Sequence, residues 1–142
     1  MKLPLIALCL AALSACTPMG NLTPSAEMAR LLNDQGIHAL VALISPMATH
    51  REQARLIVGA ERYIEVYVRT RPEVCESRDP KGLYKQARQS TLSHFTGITS
   101  PYEAPTAAAL EIDTSQTSVE ASCDLVQACI GRRWPSPSQA AR

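Results

Sequence analysis

The sequence predicts an α/β fold, a parallel sheet with flanking helices. Strand-like apolar runs at 37–44, 62–68 and 109–112 alternate with segments of helical periodicity. Thr-x-x-Glu boxes at Thr49/Glu52, Thr70/Glu73 and Thr117/Glu120 stand where helices should open. The run IHALVALI, 37–44, is almost unbroken apolar, the pattern of a parallel strand buried on both faces. With 142 residues, 46% apolar and 19% charged, the composition is that of one folded domain. A net charge of +1 gives no global attraction for nucleic acid or acidic lipid, so no nucleic-acid partner is expected. Any electrostatic function must be local.

The chain opens with MKLPLIALCLAALSAC, a lysine followed by apolar residues from Leu3 to Leu13. That stretch is too short to cross a bilayer as a helix but fits a secretory h-region. Leu13-Ser14-Ala15-Cys16 resembles a bacterial lipobox, which makes Cys16 the expected lipidation site and the only route to a membrane. A buried N-terminal helix and a misassigned start codon are the other readings of these residues. The expected division is a signal-like segment at 1–16, a linker at 17–24, a folded domain at 25–131 and a disordered tail at 132–142.

Thr23-Pro24 provides an N-cap with proline at the first helical position, and Met28, Leu31, Leu32 and Gln35 share a face before Gly36. Ser45-Pro46 ends the first strand. The Thr49 box opens a helix to Val58, 62–68 forms the next strand, and the Thr70 box opens a short helix through Val74 and Cys75. RDPKGLYKQAR, 78–88, combines a turn with a short helix bearing Arg78, Lys81, Lys85 and Arg88; it is a solvated face or an anion-binding flap. The loop HFTGITSPYEAP leads to a strand at Ala109–Ile112. The last helix follows the Thr117 box, with Val119, Cys123, Val126 and Ile130 on one side.

Cysteines stand at 9, 16, 75, 123 and 129. Cys123 and Cys129 are about 9 Å apart along a helix, too far for a disulfide, and no zinc-type spacing occurs. They read as small buried hydrophobes. In open parallel sheets ligands sit beyond the carboxyl ends of the strands, which selects Ser45-Pro46, Arg69-Thr70-Arg71 and residues 113–116.

Taken together, LISP, YIEVYV followed by VCESRDP, DPKGLY, FTG and YEAP make residues 26–125 resemble the C-terminal part of adenylylsulfate kinase (APS kinase). The resemblance implies a P-loop kinase type of sheet, here lacking the usual first strands. It implies transfer of the ATP γ-phosphate to the 3′-hydroxyl of adenylylsulfate, with Mg2+ accompanying ATP, in the cytoplasm. Lys81, Gly82 and Leu83 would lie beside adenylylsulfate in a mobile lid, Phe95 would stack on its adenine, and Arg78 would lie near the ATP adenine. Ser45 stands where the family carries a phosphoserine, a catalytic-site position that lines the site.

Departures from the family are equally specific. Glycines at 20, 36, 59, 82, 97 and 131 provide no GxxxxGK[ST], so the Walker A ligands are absent from this chain. Met47-Ala48 stands where an arginine usually follows Ser-Pro plus one residue, and Arg69 replaces an aspartate. The expectation is a truncated kinase whose sheet has a gap between 37–44 and 62–68 and whose own phosphoryl transfer is crippled. A homodimer, or a partner supplying the missing loop, is left open. The alternative is a non-catalytic lipoprotein that uses a partial kinase fold as a nucleotide-binding or interaction module.

Overall fold

A computed structural model describes residues 5–10, 22–79, 81–89, 95–96 and 100–135. Its elements are β1 (Leu5–Leu10), α1 (Thr23–Asp34), β2 (Ala39–Leu43), α2 (Ala48–Val58), a 3-10 turn at Ala60–Arg62, β3 (Tyr63–Arg69), α3 (Pro72–Arg78), α4 (Leu83–Arg88), β4 (Leu110–Asp113) and α5 (Val119–Arg133). The strands form one parallel sheet in the order β2-β1-β3-β4, the expected α/β arrangement.

The expected gap is filled. β1 pairs with β2 from Leu5↔Ala39 to Cys9↔Leu43, and with β3 from Leu5↔Tyr63 to Leu10↔Val68. The residues that read as a secretory h-region thus form the central strand. An apolar run bounded on both sides by backbone donors and acceptors satisfies a buried strand as well as an h-region, which is why composition alone did not separate the two. Cys16, the lipobox-like residues and the tail beyond Pro135 lie outside the described residues.

Two cores flank the sheet. Leu22, Ala26 and Ala29 of the α1 region, Ala54 and Val58 of α2, Ala39 and Tyr63 pack on one face. Ile64, Val66 and Ile112 pack with Cys129 of α5 on the other. β3 therefore alternates between two buried layers, and Val66 and Ile64 are among the least exposed residues.

Several sequence expectations change here. β2 is an edge strand among the described residues, so Leu40 is 64% exposed and the run is not buried on both faces. α1 buries Ala26, Ala29 and Asn33, while Met28 and Leu31 are exposed. Small side chains bring α1 close to the sheet, and Asn33 donates to the Ala29 carbonyl at 2.8 Å, satisfying one polar group in the core. On α5 the inward stripe runs through Val126, Cys129 and Ile130, leaving Val119 and Cys123 exposed.

None of the Thr-x-x-Glu boxes caps as expected. α2 begins at Ala48, α3 has Pro72 in its first turn, and α5 uses Ser118, whose Oγ accepts from the Ala121 amide at 3.2 Å. The Thr70 hydroxyl is instead hydrogen-bonded to that of Thr114 at 2.6 Å.

Removing residues 1–15 deletes the only strand neighbour that β2 has among the described residues. Whole-domain stability is only about 5–15 kcal/mol, so loss of a central strand should abolish the cooperative melt. Thermal and urea unfolding of the full and shortened chains checks this; an unchanged midpoint would show that β1 is dispensable.

Candidate functional site

The carboxyl ends of the strands gather the expected residues into two clusters. At the end of β2, Ser45 has φ 45°, a left-handed conformation unusual for serine. Arg51 of α2 holds it there, donating from Nη1 to the Ser45 carbonyl at 2.7 Å. The Arg51 Nε lies 2.8 Å from Oε1 of Glu65 on β3, with Arg51 only 5% exposed. Arg51 is the ion-pair partner of that buried oxygen, which has no other partner among the described residues. Burial pushes the Glu65 carboxyl above its ordinary value despite the opposing pull of Arg51.

The YEAP segment closes onto the same turn. Glu103 donates its amide to the Pro46 carbonyl at 2.8 Å, and its Oε2 accepts from the Ala48 amide at 2.7 Å. This distant carboxylate stabilises the first turn of α2, which explains why the helix starts before Thr49. Tyr102 stacks on Tyr67 of β3 with centroids 6.2 Å apart. Because β1 separates β2 from β3, residues 102–103 bridge across its width.

The second cluster lies beyond β3 and β4. Arg78 donates to the Thr114 hydroxyl at 2.9 Å and carbonyl at 2.8 Å. Arg69 pairs with Glu111 at 2.6 Å, and hydrogen bonds from the Ser115 side chain and amide hold the Asp113 carboxyl below its ordinary value.

Between the clusters, the 78–88 segment is folded by Asp79, whose Oδ1 and Oδ2 accept from the Leu83 and Lys85 amides at 2.8 and 3.2 Å. Gly82 has φ 65°, the left-handed turn that glycine adopts without strain. Leu83, Tyr84 and Ala87 are buried. Phe95 meets the Tyr84 ring edge-on, with centroids 4.9 Å apart. Burial first, then the adjacent Cys75 thiol, push the Tyr84 phenol up to about 12. It is neutral throughout the physiological range.

The four cations of this segment have divided tasks. Arg78 is tied to Thr114, and Arg88 makes a two-pronged contact with Glu76 at 3.1 and 3.0 Å. Lys81 and Lys85 are exposed, with no ion pair among the described residues. Phe95 meets Tyr84, the residue after Leu83, whereas Ser45 is connected to the same loop through Glu103. Arg78 belongs to the opposite cluster.

Sequence reasoning missed Arg51, Glu65, Tyr102 and Glu103. Glu65 could have been found, because a lone carboxylate within YIEVYV requires a buried partner. Among the described residues no group of three His, Cys, Asp or Glu could hold a metal ion. The chain's lysines are Lys2, Lys81 and Lys85, and the first glycine after β1 is Gly20. The residues after β1 therefore do not fit a phosphate cradle of the Walker type.

A parallel sheet with helices on both faces and candidate residues at its carboxyl edge is an α/β architecture, and its match to solved structures, an APS kinase among them, makes it the P-loop kinase type. The family model for adenylylsulphate kinase matches residues 15–113, and the chain belongs to that family. The adenylyl-sulfate kinase of Shewanella pealeana is 48% identical over 112 residues, 76% of this chain and 55% of that protein. That of Marinobacter nauticus is 42% identical over 113 residues, 80% of this chain and 57% of its own length. The chain spans about half the length of these curated relatives. The solved APS kinase of Mycobacterium tuberculosis, in complex with AMPPNP and APS, shares the fold with a TM-score of 0.69 and 24% identity. That alignment covers 91% of this chain and 98% of the other.

Arg51→Met should cost about 3 kcal/mol, the low end for stripping one partner from a buried pair, since Glu65 keeps some solvent contact. Glu65→Gln should cost a comparable amount, because it leaves the more deeply buried Arg51 guanidinium without a counter-charge while keeping an oxygen that can accept from it. A raised folded pKa adds stability below the unfolded value and loses it as pH rises through the folded value. The stability difference between wild type and Glu65→Gln should therefore shift against wild type above pH 4.5, the ordinary glutamate value. Urea titrations across pH read this; a difference that moves toward wild type would contradict the burial assignment.

Proposed function

We propose that this chain binds adenylylsulfate at the carboxyl edge of the sheet and does not by itself transfer phosphate from ATP. The observation that carries the reading is the edge-on contact of Phe95 with Tyr84, on the segment that also carries exposed Lys81 and Lys85, with the chain after Phe95 tied through Glu103 to the Ser45 turn. This offers a ring and apolar wall for a purine, and cations for a phosphosulfate. Lys81, Gly82, Leu83 and Phe95 take the adenylylsulfate side, and Arg78 the ATP-adenine side, as family membership suggests. Ser45 lines the site. In a complete kinase, ATP with Mg2+ supplies the phosphoryl group; here the phosphate cradle would have to come from outside this chain.

A cytoplasmic place suits those ligands. Supporting it, Leu5–Leu10 are paired on both sides within the sheet, and cleavage before Cys16 would remove them. No helix among the described residues is long and apolar enough to cross a membrane.

Titration calorimetry should give saturable adenylylsulfate binding that weakens with added salt. Phe95→Ala should cost about 1–3 kcal/mol, and Lys81→Ala should weaken adenylylsulfate more than adenosine. The product 3′-phosphoadenylylsulfate should be undetectable with ATP. No saturable heat from a folded sample would remove the binding claim, and robust product formation the other half.

A further inference from the structure

We propose that Glu103 is a positioning residue, one carboxylate that sets the Ser45 turn and the Phe95 loop relative to each other. The inference rests on the adenylylsulfate reading above and adds to it a residue that touches no ligand in that reading.

Three anchors hold the segment. At its start Phe95 lies against Tyr84 of α4, and the Ser100 amide donates to the Phe95 carbonyl at 3.1 Å, closing the loop on itself. Thr96 and Ser100 form a parallel bridge across that closure. Near its end Tyr102 stacks on Tyr67. Glu103 then grips the Ser45–Pro46–Met47 turn from two directions, amide to Pro46 and carboxylate to Ala48. The turn itself is held by Arg51 in a conformation serine seldom adopts. Neither contact is local in sequence; residues 48 and 103 are 55 apart. A carboxylate serving only to cap α2 needs no backbone bond to Pro46. The double grip couples two loops that would otherwise move separately.

The test compares Glu103→Ala with Ser118→Ala in the full chain. Both remove one helix-capping acceptor, but Ser118 caps α5, away from the Ser45 turn. In ligand-free 15N spectra, Glu103→Ala should shift the amides of Phe95, Thr96 and Ser45, whereas Ser118→Ala should leave them in place. Adenylylsulfate affinity should fall about tenfold in Glu103→Ala and stay near wild type in Ser118→Ala, as expected when a positioning group is lost. Glu103→Gln, which keeps an acceptor for Ala48, should restore most of the affinity. Unmoved Phe95 and Thr96 amides in Glu103→Ala, or equal affinity losses in the two alanine variants, would overturn the proposal. Absence of binding by wild type would overturn the adenylylsulfate reading, and this role with it, while the ligand-free spectra would still report whether the clamp exists.

Discussion

A buried parallel sheet cannot leave a slot empty. Each strand edge carries a row of amides and carbonyls, and burying them unpaired costs more than most side-chain contacts return. In this chain that constraint falls on Leu5–Leu10. β2 has no other strand neighbour among the described residues, and β3 would lose one of its two. The clusters on the two faces, the strand termini and the loops that rest on them inherit their spacing from that one strand. The apolar run Leu5–Leu10 is thus an interior strand on which the rest of the sheet is built.

Upon that strand the site is held by polar contacts that reach across the sheet. Arg51 joins the exit of β2 to the middle of β3, and Glu103 joins the same exit to the segment carrying Phe95 and Tyr102. The ion pair is desolvated enough to raise the carboxyl's pKa, so its value lies in fixing geometry more than in net stabilisation. The cations of 78–88 show the same division of labour. All four are exposed, but two are tied to Thr114 and Glu76, while Lys81 and Lys85 have no ion pair among the described residues. A charge cluster in sequence therefore gives an upper bound on the charge offered to a ligand.

The sheet's parallel character and most helix positions were legible because strand runs and helical periodicity agree with the final architecture. β3 was read to within one residue at each end, since Ile64, Val66 and Val68 fill one face and are buried while Tyr63 and Tyr67 lie on the other. Errors arose where local signals met distant partners. Glu103 moved the start of α2 before Thr49, and Thr114 took the hydroxyl expected to cap α3. On α1, small residues rather than large ones face the core, because helix-to-sheet distance is decided by packing that periodicity does not report. The sequence reading expected a gap where β1 lies, for a different reason. Six apolar residues carry no mark that separates a strand from an h-region. Of the site, the residue types in DPKGLY and FTG were legible; the Arg51–Glu65 and Glu103 contacts required the fold.

The most direct test of this account is amide hydrogen exchange in the full chain. If Leu5–Leu10 occupies the centre, alternate amides of Ala39–Leu43 face it and should exchange as slowly as those of Tyr63–Arg69, within one cooperative unit. Exchange at random-coil rates throughout Ala39–Leu43, with Tyr63–Arg69 still protected, would show that β2 has no partner and would contradict the completed sheet.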